Sequence, residues 1–268
     1  MSAGVFAREQ IRVLAERFHA EVKRASEKTS PEVIHDVRVA TRRLRQALRV
    51  FGPLTDKKAA KRARRELKPL IEAGGAVRDC DIAMQLFSDA HLSRQHPLWD
   101  ELRAERAGAE TRFRKRVEKA RRAPDLPARD DARLPAPALL VPKYFRQGRA
   151  ATQPGIPPGE LHAFRLATKR LRYTLELFKP LYGPALATRI EDLRKIQEIL
   201  GNANDAVVSA ARLRARARRD PALEPATRTL ERRVSRLQSE FRALWRRQMD
   251  APGNEQRWVA YLRRRKRP

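Results

Sequence analysis

Cysteine is nearly absent from this 268-residue chain: Cys80 stands alone, which excludes an intramolecular disulfide or a thiolate zinc site and leaves a small core residue as its expected role. Aromatic residues make up 6% of the sequence, too few to lay out a stacking platform for a run of nucleobases. No run of about 18 apolar residues occurs, so no membrane-spanning helix is expected. The N-terminal MSAGVFAREQ enters a charged helical pattern without an apolar leader segment, so the expectation is a cytoplasmic protein with no membrane insertion. Sustained period-2 alternation of β-branched residues is missing too, which argues against strands. Acidic residues are in short supply, 32 against 60 Lys and Arg, and the resulting charge of +28 exceeds anything solubility requires. It implies an anionic partner: a nucleic acid, an anionic membrane or an inorganic polyanion.

What the chain does have is a duplication. The stretch His35 to Leu54, HDVRVATRRLRQALRVFGPL, returns 127 residues later as His162 to Leu181, HAFRLATKRLRYTLELFKPL. His35/His162, Arg38/Arg165, Thr41/Thr168, Arg43/Arg170, Leu44/Leu171, Arg45/Arg172, Leu48/Leu175 and Phe51/Phe178 are identical, and Arg42/Lys169 keeps its charge. At about 100° per residue, Val37, Thr41, Leu44, Leu48 and Phe51 form the buried stripe of a helix. His35, Arg38, Arg42, Arg45 and Arg49 form a second stripe beside it, matched in the later copy by His162, Arg165, Lys169 and Arg172. Cations at this spacing repel by roughly 0.2 to 0.5 kcal/mol per neighbouring pair, a cost that an anion would offset. The row covers about 21 Å of helix axis, which suits a linear polyanion better than a compact metabolite. An arginine stripe is ordinarily a solvated face, but solubility alone does not require the same cations at the same places relative to the same core residues twice. Glu176, opposite Arg49, is where the second copy relaxes.

The remaining chain reads as helix. Ile11, Leu14, Phe18, Val22 and Ala25 mark a first amphipathic helix, and Ser30, Pro31 and Glu32 open the second as cap, first position and first turn. A third begins near Asp56, with Pro69 expected to kink it. Its cations Lys58, Lys61, Arg65 and Lys68 lie nearly opposite the core stripe and read first as a solvated face; Lys61, Arg65 and Lys68, with Arg194 on a later helix, are expected only as secondary anion contacts. Asp79 and Asp81 point in different directions on a helix and suggest ion pairing with arginine rather than a metal site, and no metal or cofactor is expected. A charged helix spans Pro97 to Arg122. Eight prolines between 124 and 160 mark a linker, placed at 124–137, between half-repeats at 1–123 and 138–268. Leu139 to Ala151 is expected as a short helix, a long one follows from about Pro184, and Leu230, Val234, Leu237, Phe241 and Leu244 trace another. The basic tail, with Trp258, Tyr261 and Arg263 to Arg267, is expected to fray. The architecture expected is all-α: two helical bundles of about four helices each, related by a pseudo-twofold that would bring the two stripes toward one cleft.

The pattern H-x-x-R-x-A-x-[RK]-R-L-R, present twice, and the L-G-x-x-N-D run at Leu200 to Asp205 resemble the conserved histidine α-helical domain, or CHAD, family over almost the whole of residues 1–268. The resemblance implies two four-helix bundles with a basic central surface, binding of inorganic polyphosphate and association with polyphosphate granules and their proteins. On matched positions it implies His35, Arg38, Arg42 and Arg45 in the first copy and His162, Arg165, Lys169 and Arg172 in the second as polyphosphate contacts. Non-specific nucleic-acid binding is the competing expectation, allowed by charge. Phosphoryl-transfer catalysis at His35 or His162 is disfavoured because the stripes hold no carboxylates to position Mg²⁺, so no catalytic residue is assigned.

Overall fold

The computed structural model describes residues 2–120 and 133–264, and all regular structure among them is helical. The helices are α1 (Ala3–Glu27), α2 (Pro31–Val50), α3 (Lys57–Glu66), α4 (Lys68–Asp89), α5 (Leu98–Glu118), α6 (Val141–Ala151), α7 (Pro158–Leu177), α8 (Ala185–Ala217), α9 (Glu224–Gln248) and α10 (Asn254–Arg263). None of them is long and apolar enough to cross a membrane. Packing divides the chain into two compact units: one holds the described residues up to 84 and 95–135, the other residues 85–94 and those from 136 onward. The last residues of α4 thus count with the second unit, although the sequence repeat alone would leave them in the first half. Of the expected linker, residues 124–132 lie outside the described residues, and 133–136 carry no regular structure.

In the first unit, Ser30 caps α2 by accepting the Val33 amide at 3.3 Å, and Pro31 takes the first helical position, where its missing N–H costs nothing. The expected stripe is buried throughout: Val37, Thr41, Leu44, Leu48 and Phe51 are all at or below 1% exposure. Asp56 starts α3, its Oδ1 accepting from the amides of Lys58 and Ala59 at 2.8 and 2.9 Å. The helix then breaks at Leu67, two residues before Pro69, so the expected kinked helix is the pair α3 and α4. Cys80 is buried on α4, and α5 contributes Leu102, Ala109, Phe113 and Val117 to the core. Asp81 pairs with Arg106 at 2.6 Å, the kind of ion pair the sequence suggested.

In the second unit, α7 repeats α2 in detail. Both are 20 residues with proline first, and both end on a phenylalanine, Phe51 or Phe178, followed by a 3-10 turn, Gly52–Leu54 or Lys179–Leu181. The core is aromatic: the Trp245 ring lies 5.4 to 6.3 Å from those of Tyr144, Phe145, Phe164 and Phe241. Gly148 on α6 makes room for that indole, since any β-carbon there would collide with the Trp245 ring.

One expectation is corrected. The C-terminal segment is not frayed through Trp258 and Tyr261: it forms α10, opened by Gly253 in the left-handed conformation (φ 72°). Trp258 and Leu262 are buried, Arg149 of α6 pairs with Glu255 at 2.7 Å, and Tyr182 donates to the Leu262 carbonyl at 2.8 Å. Apolar burial at i and i+4 outweighs the charge repulsion that suggested fraying. Arg263 and Arg264 are exposed, and the rest of the run lies outside the described residues. With α10 included and α3 separate from α4, each half of the sequence carries five helices among the described residues, close to the expected count of about four.

Candidate anion-binding surfaces

On α2 the cationic row descends into the unit and rises again. His35 and Arg49 at its ends are exposed, Arg42 and Arg45 are half-buried, and Arg38 is buried at 9% exposure. Arg38 owes its depth to Gly74 on α4: a β-carbon there would stand 2.9 Å from Arg38 Cγ and 3.2 Å from Phe113 Cε2. Its guanidinium therefore acts from within the wall of the unit, and Arg42, Arg45 and Arg49 form the accessible part of the row. Burial, followed by the charges of Arg64 and Arg49, lowers the pKa of the Arg45 guanidinium against the opposing pull of Glu72. Arg45 Nε is shielded from solvent and has no hydrogen-bond partner among the described residues. A cation that has lost water and gained like-charged neighbours stands to gain most from an arriving anion.

The row on α7 is built from matching positions but wired differently. Arg172 donates from Nη1 to Glu176 and from Nε to Gln197 Oε1 at 2.9 Å, and its guanidinium carbon lies 4.4 Å from the Tyr173 ring centroid. Its side chain keeps 12% exposure. Arg165 and Lys169 are half-buried, and His162 is exposed at the start of the row. His162 Nδ1 stands 2.7 Å from Asn204 Oδ1, and because an amide oxygen only accepts, Nδ1 carries the proton and Nε2 is left for solvent or ligand. Asn204 in turn donates to Asp205 Oδ1 at 3.3 Å, so the L-G-x-x-N-D run serves to orient the histidine.

The secondary contacts separate into two groups. Lys61 and Arg65 are exposed on α3 without an ion pair among the described residues. Lys68 is matched to Glu72 at 3.2 Å, and Arg194 is gripped by Glu191 at 2.7 Å and Glu198 at 3.0 Å, interactions that raise its pKa. Those two cations are already neutralised locally. Sequence reasoning passed over a further group: Arg112, Lys115 and Arg116 of α5 and Lys119 at its C-terminal cap line a cleft of about 430 Å³ with Pro69, Glu72, Ala73 and Ala76 of α4. The spacing i, i+3, i+4, i+7 was their signal. Among the described residues, no cluster of three or more His, Cys, Asp or Glu side chains could hold a metal ion.

Solved structures share this fold. PptA from Streptomyces chartreusis matches with a TM-score of 0.71 at 19% identity, over 92% of this chain and 100% of its own. The CHAD domain from the plant Ricinus communis matches with a TM-score of 0.57 at 21% identity, over 98% of this chain and 92% of its own. No curated protein matches the chain. The sequence profile of the CHAD domain matches residues 7–214, a span that takes in both His/Arg helices, and the chain therefore belongs to the CHAD-domain family.

Proposed function

We propose that this protein is a non-catalytic binder of inorganic polyphosphate, associated with polyphosphate granules in the cytoplasm. The observation that carries the reading is the row on α2 in which half-buried Arg42 and Arg45 lead to exposed Arg49, and in which the Arg45 guanidinium is shielded from water, crowded by cations and has no carboxylate hydrogen-bonded to it among the described residues. Guanidinium forks offer paired, charge-assisted hydrogen bonds to phosphate oxygens, and their spacing of about one helical turn follows an extended chain rather than a single phosphate. The membership of the CHAD family supports the same ligand class through the resemblance of the His/Arg pattern.

Nucleic acid is the weaker candidate because of where the rings are. All nine phenylalanines and all three tryptophans are buried, and Tyr173, Tyr182 and Tyr261 are half-buried, Tyr173 beneath Arg172. Nothing aromatic stands clear for a base to stack on, whereas a bare phosphate polymer needs no such platform. The deciding experiment is competition for immobilised protein between long-chain polyphosphate and duplex DNA at equal phosphate concentration, with orthophosphate as control. Polyphosphate should displace DNA and not the reverse, while displacement of polyphosphate by DNA contradicts the proposal. Incubation with polyphosphate, with and without Mg²⁺, should release no orthophosphate.

A further inference from the structure

The two cationic rows share a sequence pattern but differ at the three places that decide whether a cation is available. Arg49, one turn beyond Arg45, is replaced in the second copy by Glu176. Ile71, an apolar residue on α4, is replaced at a shift of 126 by Gln197, whose amide oxygen accepts from Arg172. Arg78 is replaced by Asn204, which accepts from His162. In each case a cation or an apolar residue of the first copy gives way to an acceptor that engages a member of the second row. Among the described residues no carboxylate is hydrogen-bonded to Arg42 or Arg45 of the first row, whereas in the second Arg172 is engaged by Glu176 and Gln197 and His162 by Asn204.

We propose that Glu176 is an internal anion seated on the second row, so that the phosphate polymer is held chiefly by α2 and engages α7 only by displacing Glu176 from Arg172. This deepens the polyphosphate reading and rests on it. The Glu176 carboxylate offers Arg172 Nη1 what a phosphate oxygen would, a charge-assisted acceptor, while Gln197 accepts from Nε and the guanidinium carbon sits over the Tyr173 ring. A phosphate arriving there exchanges one ion pair for another and leaves Glu176, 22% exposed as a side chain, without that pair. A phosphate arriving at Arg45 displaces no hydrogen-bonded carboxylate and relieves repulsion from Arg64 and Arg49, with the charge of Glu72 as the opposing influence on that guanidinium.

The test is titration of the full chain with long-chain polyphosphate by calorimetry, reading affinity and phosphates bound per chain. Arg42→Gln with Arg45→Gln should weaken binding about tenfold or more, the loss of at least one charge-assisted contact, whereas the matching pair Lys169→Gln with Arg172→Gln should weaken it less than about threefold. Glu176→Gln, which keeps the side chain's shape and removes its charge, should raise the affinity or the number of phosphates bound, and the gain should disappear when Lys169→Gln is added. Equal losses from the two copies, or a Glu176→Gln protein that folds and binds as wild type, overturn the proposal. Should Glu176→Gln fail to fold, the comparison of the α2 pair Arg42→Gln with Arg45→Gln against the α7 pair Lys169→Gln with Arg172→Gln decides alone. A wild-type chain that binds no polyphosphate defeats the ligand assignment instead, a result distinct from equal losses.

Discussion

Gly148 and Glu110 show what single residues contribute to this scaffold. The Trp245 indole lies where any side chain at position 148 would have to go, so Gly148→Ala forces the central ring of the second unit out of its place. Overpacking of this kind should destabilise the protein by about 1 to 3 kcal/mol, read as a lower urea midpoint at unchanged slope. Glu110 tells a story about charge. Burial pushes its carboxyl upward, but hydrogen bonds from Arg114 at 2.7 Å and Arg106 at 2.8 Å outweigh that and leave its pKa below the usual glutamate range. Because the folded state holds the proton less tightly than the unfolded one, the stabilisation is present at neutral pH and lost as pH falls through the depressed folded value. Glu110→Gln should therefore lower the urea midpoint at neutral pH, and the difference from wild type should close on acidification. A difference that stays constant from neutral to acid pH would show that packing, not charge, is what the substitution removes.

The helix pair α2 and α7 shows what a repeated element fixes and what it leaves to its neighbours. Their equal lengths, first-position prolines and closing 3-10 turns follow from residues that are present in both copies, and the core stripe from Val37 to Phe51 was legible because 3.6-residue periodicity depends on the helix alone. Their starts differ: α2 has the Ser30 hydroxyl on the Val33 amide, while α7 begins after Pro157 with no side-chain cap. Ser30→Ala should accordingly cost about 1 kcal/mol of stability, measurable by chemical denaturation, with slower amide protection lost first in the opening turn of α2. The wiring of the rows was legible only in part. The pairing of Arg172 with Glu176 is an i, i+4 relation that any helix would allow, but Gln197 and Asn204 come from α8, 25 and 42 residues away from their partners. The depth of Arg38 was hidden for a similar reason, since it depends on Gly74 of another helix letting an arginine stem pass. The order of the tail was hidden because a run of arginines outweighed the smaller signal of Trp258 and Leu262, four residues apart on one face.

At the scale of the whole molecule, the net charge of +28 makes long-range attraction for any polyanion unavoidable, so affinity alone says little about which surface is used. Salt separates the contributions. At physiological ionic strength the screening length is about 8 Å, so the exposed cations of α3 and α5 act only on an anion close to them, while the half-buried guanidiniums of α2 are screened less. Raising salt should therefore weaken binding steeply yet leave a residual contact concentrated on one helix. Hydrogen–deuterium exchange with and without long-chain polyphosphate locates that contact, because a bound ligand slows local opening where it is held. Protection should rise most along Pro31–Val50, be smaller along Pro158–Leu177, and at elevated salt persist only in the former. Protection that instead rises evenly across every basic helix, and fades evenly with salt, would mean that the duplicated rows act only through their share of the total charge.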